Sequence, residues 1–339
     1  MAGMRRRTLL SAGLLAGLAA AVIGAGQLFI TRMPGPSFKG ALPAISAAQS
    51  ELAKRLESHV RTLAGEIGER NLSRYSALLR AADYIETSFI SAGFRPASQT
   101  FQVRGKTVRN IEAEIPGSGS DLGIVVVGAH YDSVEGSPGA NDNATGVGAV
   151  LALARLLNGR ALRRSVRFVA FVNEEPPYFY TDAMGSVQYA DRSAARNERI
   201  VAMLSLETIG YYSDRQGSQR YPVPLSLFYA DTGNFIGFVG NLRSRNLVRR
   251  AVGRFRAEAR FPSEGLAAPG WLTGVGWSDH WSFWRAGFPA IMVTDTALFR
   301  YSQYHTAADG PDIVDYARYA RVVDGLVPVV MDLANGAAP

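Results

Sequence analysis

A run of seven residues without a polar side chain constrains the fold of this chain more than any other feature. The run, GIVVVGA at positions 123–129, is dominated by β-branched residues. Such residues favour strands, and a strand that is apolar on both faces is typical of a parallel sheet covered on both sides. The sequence therefore predicts a buried central strand with helices packed on each side of the sheet.

The segments after this run alternate between helix and strand patterns. A helical pattern at about 144–157 leads to a predicted strand at 166–172, and a second helix at about 184–192 leads to a strand at 201–206. Further strands are predicted at 101–103, 110–115, 225–229 and 288–293, and further helices within 45–93, 243–260 and 311–334. This alternation predicts an α/β fold, a three-layer sandwich with a mixed, mostly parallel central sheet flanked by helices.

The first thirty residues carry a separate signal. Arg5, Arg6 and Arg7 precede Thr8 to Ile30, a stretch of 23 residues without a charge. As a helix this stretch would be about 35 Å long, which is enough to cross a bilayer. The preceding arginines favour an orientation that places the rest of the chain outside the cytoplasm, in the periplasm or the extracellular space. The Arg-Arg-x-Leu-Leu pattern also resembles a twin-arginine export signal, which would give an exported soluble form instead.

The predicted organisation has three parts. Residues 1–33 are a membrane anchor or export signal, residues 34–44 are a linker, and residues 45–339 are one folded domain large enough for a single core. The net charge is +7, but the basic residues do not form a patch interleaved with aromatic residues, so no nucleic-acid partner is predicted. Because there is no cysteine, any metal must be held by histidine and carboxylate side chains.

Potential metal ligands lie at the carboxyl ends of the predicted strands or on the loops that follow them. They are His130, Asp142, Glu174, Glu175, Glu207 and His305. In open α/β sheets, ligands bind at the carboxyl ends of the strands, so we expect these six side chains to converge. Histidine and carboxylate ligands suit zinc, with Co²⁺ or Mn²⁺ as possible substitutes.

Adjacent Glu174 and Glu175 are the hardest of these residues to explain without a metal. Two neighbouring carboxylates after a buried strand repel each other unless a cation neutralises them. One of them can bind a metal while the other moves protons. Asp142, by contrast, could simply cap the helix that follows it, a role that Asn143 could also fill.

Six motifs in order resemble the co-catalytic zinc aminopeptidases, the family of bacterial leucyl aminopeptidase, glutamate carboxypeptidase and glutaminyl cyclase. They are GAHYDS at 128–133, GANDNATG at 139–146, FVNEE at 171–175, LSLETIGY at 204–211, SDHWSFWRAGFPAI at 278–291 and YHTAADGPDIVDY at 304–316. The resemblance covers about residues 50–335. It implies two zinc ions bridged by Asp142, with Glu175 and His305 completing one site and His130 and Glu207 completing the other.

The resemblance also implies roles for residues beside the ligands. Glu174 would be the general base, and Asp132 would orient the ring of His130, as its position two residues further on also suggests. Asp279 and His280 match a segment that borders the substrate pocket in the family, although both could be structural instead.

The chain departs from the family pattern at two positions. Glu207 stands where many relatives have aspartate, which leaves the geometry of that metal site open. Val275 stands where several relatives have a tyrosine thought to stabilise the oxyanion. The oxyanion donor is therefore unassigned, with His280, a backbone N–H group or the metal as candidates.

The expected function is that of a zinc-dependent exopeptidase, an aminopeptidase that hydrolyses peptide bonds with a metal-bridging water and a glutamate base. Its partners would be a peptide substrate and, through the N-terminal helix, a membrane. One alternative is a glutaminyl-cyclase-like acyltransferase with a single zinc. Another is a non-catalytic binding ectodomain. Side-chain preference and exo- versus endopeptidase action stay open.

Overall fold

One eight-stranded sheet forms the centre of the molecule. The computed structural model describes residues 24, 26, 29–119, 122–223 and 225–336. The strands are β1 (Ala97–Val103), β2 (Lys106–Ile115), β3 (Gly123–His130), β4 (Ser165–Phe171), β5 (Arg199–Glu207), β6 (Ile236–Gly240), β7 (Ser263–Ala267) and β8 (Ala290–Thr294). Their order across the sheet is β1-β2-β4-β3-β5-β8-β6-β7. Strands β4, β3, β5 and β8 run parallel, as do β6 and β7, and the remaining neighbours are antiparallel.

Helices cover both faces of this sheet. They are α1 (Ala47–Val60), α2 (Tyr75–Ser91), α3 (Thr145–Leu157), α4 (Gly185–Ala195), α5 (Arg245–Glu258), α6 (His280–Arg285) and α7 (Tyr316–Asn335), and a π-helical segment at Arg61–Ile67 continues α1. Residues of α4 and α6 join the core on one face, whereas those of α1, α2, α3, α5 and α7 join the core on the other. The predicted three-layer α/β fold is confirmed.

The burial of strand β3 on both faces explains why residues 123–129 carry no polar side chain. Val125 and Val127 pack into the larger core, whereas Ile124 and Val126 pack into the smaller core on the opposite face. All eight residues of the strand are buried. Because successive side chains point to opposite faces, a central strand covered on both sides must be apolar at every position.

The region between residues 211 and 276 differs from the prediction. The predicted strand at 225–229 is wrong, since the chain forms a single 3₁₀ turn at Leu225–Leu227. Two unpredicted strands, β6 and β7, follow it, with the sequences IGFVG and SEGLA. Their glycines weaken the strand pattern because glycine is depleted in strands. Pro222 precedes the turn and cannot donate a ladder hydrogen bond, which disfavours an interior strand there.

The predicted linker and Met33, the residue before it, lie against the domain. Met33 packs next to the core beside Gly265, where a side chain would collide with it. Arg256 of α5 donates to the Gly35 carbonyl over 2.7 Å, and the Ser263 N–H donates to Ser37 Oγ over 2.9 Å. Within the described part of the chain, no helix has the length and apolar character needed to cross a membrane. Most of the predicted anchor, Thr8 to Ile30, lies outside the described residues.

Candidate metal centre

Three of the predicted ligands meet beyond β3 and β5. His130 and Glu207 are the last residues of these neighbouring strands, and Asp142 lies on the loop before α3. The His130 Nε2 atom is 3.3 Å from Asp142 Oδ1 and 3.3 Å from Glu207 Oε2. All three side chains are buried. They form one potential metal-binding triad.

A second triad shares Asp142. The His305 Nε2 atom is 3.1 Å from Asp142 Oδ2 and 3.2 Å from Glu175 Oε2. The two oxygens of Asp142 therefore face different histidines, with Oδ1 towards His130 and Oδ2 towards His305. The structure thus brings together the five residues predicted as metal ligands.

The contacts within the two triads suit metal ions better than they suit the protein alone. The Nε2 atoms of His130 and His305 and the Oδ1 atom of Asp142 are buried without a hydrogen-bond partner in the described structure. Buried polar atoms are otherwise almost always paired. Zinc binds histidine nitrogen and carboxylate oxygen, the donor types that face one another here. The residues present therefore fit metal ions at both triads.

The electrostatics of the cluster also favour bound cations. Burial raises the pKa of Glu175 to about 7, with Asp142 adding repulsion, and burial raises the pKa of Glu174 well above its usual value. Burial alone would lower the pKa of His305, yet contacts with Asp142 and Glu175 raise it to about 10. Likewise burial opposes the charge of His130, but nearby carboxylates hold its pKa well above the usual value. The cluster therefore holds more carboxylates than its own histidines can neutralise.

Asp132 fixes the backbone of the two adjacent glutamates. Its Oδ1 and Oδ2 atoms accept hydrogen bonds from the N–H groups of Glu174 and Glu175, each over 3.1 Å. The Asp132 carbonyl oxygen is 3.2 Å from His130 Nδ1, and the nearest carboxylate oxygen is 3.6 Å away. Asp132 therefore adjoins the ring, and its nearest acceptor is the backbone carbonyl. A proton on Nδ1 leaves the Nε2 lone pair facing Asp142.

Asp309 holds the loop that carries Asp142 and was not assigned a role from the sequence. Its carboxylate accepts from the N–H groups of Asn141 and Asp142, over 2.9 and 3.1 Å. Asn143 Oδ1 accepts from the Gly146 N–H in the first turn of α3 over 2.9 Å. Asn143 therefore caps the helix, which leaves the Asp142 carboxylate facing the histidines.

Three further predicted positions lie outside the triads. The Glu174 Oε2 atom is 3.8 Å from His130 Nε2, yet Glu174 belongs to neither triad. Asp279 and His280 are completely buried at the start of α6. His280 Nε2 lies 2.8 Å from the carbonyl oxygen of Val275, and burial lowers the pKa of His280 to about 4, which keeps the ring neutral.

An apolar cavity opens beside the first triad. Glu207 and Tyr304 both line it, and its walls include Leu225, Leu266 and Phe299. The Tyr304 ring stacks on His305 with centroids 3.8 Å apart. The cavity therefore adjoins both triads, where a substrate side chain could lie next to the reacting group.

A mixed, mostly parallel sheet with two histidine–carboxylate triads at its strand ends defines a metal-dependent hydrolase of the α/β class. Residues 110–330 match peptidase family M28. The chain therefore belongs to this family of peptidases and is a metallopeptidase, which confirms the resemblance inferred from the six motifs.

Individual proteins resemble the chain in sequence or in fold. The chain is 37% identical to the Escherichia coli protein YfbL over 286 residues, covering 82% of this chain and 87% of YfbL. The fold matches BSAP, a zinc aminopeptidase from Bacillus subtilis, with a TM-score of 0.68 at 16% identity, covering 85% of this chain and 96% of BSAP. It also matches the glutaminyl cyclase of Fimbriiglobus ruber, with a TM-score of 0.60 at 18% identity, covering 88% and 99% of the two chains.

Proposed function

We propose that this chain is an aminopeptidase that uses two zinc ions to remove N-terminal residues from peptides. The observation that carries this proposal is the division of Asp142 between two histidines. Its oxygens lie 3.3 Å from His130 Nε2 and 3.1 Å from His305 Nε2. One carboxylate therefore joins two ligand sets that are otherwise separate.

His130, Asp142 and Glu207 would hold one zinc ion, and Asp142, Glu175 and His305 would hold the other. Co²⁺ or Mn²⁺ could substitute for zinc, because their preferred ligands overlap. When bound, such ions lower the pKa of a water molecule and polarise the substrate carbonyl. Glu207 is a full member of its triad, with Oε2 also accepting from Ser278 Oγ over 2.8 Å, so the longer side chain still reaches the site.

Glu174 acts as the general base in this proposal. It lies beside the ligands without belonging to either triad, and Asp132 fixes its backbone. A carboxylate in that position accepts a proton from the attacking water and delivers it to the leaving amine. Asp132 is then a positioning residue, because it acts through the backbone of Glu174 and Glu175 and through the ring of His130.

Two alternatives use the same fold. One is a glutaminyl-cyclase-like acyltransferase, which would need a single zinc. The structural match to a glutaminyl cyclase shows that this fold is also used by such enzymes. The completeness of both triads favours two ions and therefore the peptidase. A non-catalytic binding ectodomain is disfavoured because the ligands and Glu174 are all present.

The location of the domain is a separate part of the proposal. The uncharged stretch from Thr8 to Ile30, after three arginines, supports an N-terminal anchor with the catalytic domain outside the cytoplasm. This arrangement is tested by protease treatment of cells whose outer layer has been made permeable while the cytoplasmic membrane stays intact. Digestion of the catalytic domain together with recovery of the chain in the membrane fraction would support the anchor, whereas full protection from protease would contradict it.

Replacing Glu174 by glutamine tests the mechanism. We expect kcat for aminoacyl chromogenic substrates to fall by roughly 10²- to 10⁴-fold, because glutamine keeps the shape but cannot accept the proton. The zinc content should be unchanged, since Glu174 belongs to neither triad. Undiminished turnover with normal zinc content would contradict the role of Glu174.

A further inference from the structure

A row of paired residues runs from the metal centre to the edge of the sheet. Glu207 on β5 pairs with Thr294 on β8, and Thr294 pairs in turn with Gly237 on β6. Gly237 pairs with Glu264 on β7, the last strand. Neighbouring strands lie about 4.8 Å apart, so the Cα atom of Glu264 is roughly 14 Å from that of Glu207. Residues paired across a sheet point to the same face, so both glutamates project from one side.

The apolar cavity lies over this row. Glu207, Gly237 and Glu264 all line it, and Leu266 and Phe299 are among its apolar walls. Gly237 keeps the middle of the row open. A Cβ atom built there would lie 3.2 Å from the Thr294 carbonyl oxygen and would contact only threonine atoms of the cavity floor within 4 Å. The cavity thus runs from a metal-binding carboxylate to a second carboxylate at its far end.

The carboxylate of Glu264 accepts no hydrogen bond from the residues that the structure describes. Arg256 Nη2 is 3.6 Å from its Oε2 atom, and this guanidinium instead donates to the carbonyl oxygens of Ser263 and Gly35. Lys39 adds a weaker attraction. The Glu264 side chain is 36% exposed although it lines a largely apolar cavity. A carboxylate in such a place has free capacity to accept hydrogen bonds from a cationic group.

We propose that this cavity receives the side chain of the substrate's N-terminal residue and that Glu264 selects lysine or arginine there. The inference rests on the proposed aminopeptidase function. An extended arginine side chain spans roughly 7 Å, which is about half of the 14 Å between the two Cα atoms, and the reacting group of the substrate beside Glu207 takes up the remainder. The methylene stem packs on Leu266 and Phe299 while the charged head reaches Glu264. Arg220, the other charged residue on the lining, is exposed, so solvent screens its charge.

Steady-state kinetics on the zinc-loaded full chain test the proposal with arginyl, lysyl, leucyl and norleucyl substrates. Norleucine is the matched control because it has an unbranched stem without the charge. We expect kcat/KM for the arginyl and lysyl substrates to exceed the norleucyl value by roughly 10- to 100-fold, as a charged hydrogen bond provides. Glu264→Gln should remove this preference, so that the arginyl and lysyl values fall towards the norleucyl value. Glu258→Gln changes an exposed residue on α5 away from the cavity, so it should leave the preference for arginyl and lysyl substrates intact.

A second variant tests the path of the side chain. Gly237→Val places two methyl groups in the middle of the row, between Glu207 and Glu264. We expect it to reduce kcat/KM for arginyl and norleucyl substrates alike and to spare an alanyl substrate, whose side chain does not reach that point. Equal loss for the alanyl substrate would contradict the assignment of the cavity.

Equilibrium binding separates this inference from the proposed function. Calorimetry with the products L-arginine and L-norleucine should give roughly 10-fold or tighter binding of arginine to the wild type and no difference in Glu264→Gln. If no aminoacyl substrate is cleaved, the proposed function fails while this measurement still decides the role of Glu264. Equal affinity for arginine and norleucine, or cleavage of leucyl substrates in preference to arginyl ones, would overturn the inference.

Discussion

Single carboxylates outside the ligand set position the metal centre. Asp309 receives the N–H groups of Asn141 and Asp142 and so determines where the shared carboxylate lies. We expect Asp309→Asn to weaken zinc affinity by roughly 10- to 100-fold, because asparagine retains only one carbonyl acceptor for two donors. Competition with a chromogenic chelator measures this change. Asp312→Asn is the control, since that carboxylate is exposed and pairs only with Arg61 among the described residues.

Unaltered zinc affinity in Asp309→Asn would show that the loop holds its shape without these hydrogen bonds. Reduced affinity of the same size in Asp312→Asn would point to a general loss of stability instead. The far-UV circular dichroism of both variants should match that of the wild type, because neither change removes a core side chain.

The predicted ligands and the unpredicted Asp309 differ in what a sequence can show. Glu174 and Glu175 stand out because two adjacent carboxylates at a strand end have no simple structural explanation. Asp309 bonds to backbone N–H groups that lie 167 and 168 residues away in sequence, and any residue type could supply such groups. Thr208 and His305 adopt positive φ angles of 46° and 58° at the metal centre, a conformation that is uncommon for residues other than glycine and that the sequence did not predict.

At the scale of helices, His59 connects three elements. It lies on α1, its Nδ1 is 2.7 Å from the Tyr84 hydroxyl of α2, and Arg155 of α3 is close enough to repel a charged ring. Burial, together with Arg155 and Arg55, lowers the pKa of His59 from 6.5 to about 4. In the folded protein the ring therefore stays neutral at pH values at which the unfolded chain already binds a proton.

This difference predicts a pH-dependent stability. As pH falls from 6.5 towards 4, protonation favours the unfolded state, so His59 should lower the free energy of unfolding by about 2 kcal/mol at pH 5 relative to pH 7.5. Urea unfolding of the wild type and of His59→Gln at both pH values measures it. The variant should lose less stability on acidification than the wild type. An identical pH dependence in the two proteins would contradict the assignment.

The segment before α1 also contributes to the stability of the fold. Met33 packs beside Gly265, and Gly35 accepts a hydrogen bond from Arg256, whose side chain is only 8% exposed. A chain that begins at Gly40 should therefore be less stable than one that begins at Phe29, by roughly 1–3 kcal/mol, because a buried guanidinium loses hydrogen-bond partners.

Thermal unfolding of the two truncated chains tests this contribution. For a chain of this size, each kcal/mol lowers Tm by about 2–4 °C. Equal Tm values would show that the segment only connects the domain to the preceding residues. Arg256→Ala in the chain that begins at Phe29 should reproduce part of the loss, since it removes the donor instead of the acceptors.

For the whole molecule, the α/β class followed from the alternation of strands and helices around β3. The order of the outer strands could not be predicted from the sequence, because β6 and β7 are short and contain glycine. Their pairing also depends on contacts between residues far apart in sequence. The order of these strands also bears on the function. The cavity floor is built from β8, β6 and β7, so Glu264 could be related to the metal centre only once the register of these strands was known.

We propose that two zinc ions share Asp142, and the number of zinc ions bound per chain measures this sharing. Elemental analysis of the purified chain after exhaustive dialysis should give two zinc ions per wild-type chain. Because His305 serves only one triad, His305→Ala should retain one ion. A wild-type chain with a single tightly bound zinc, and no loss of zinc in His305→Ala, would contradict the two-ion site and favour a single-zinc transferase.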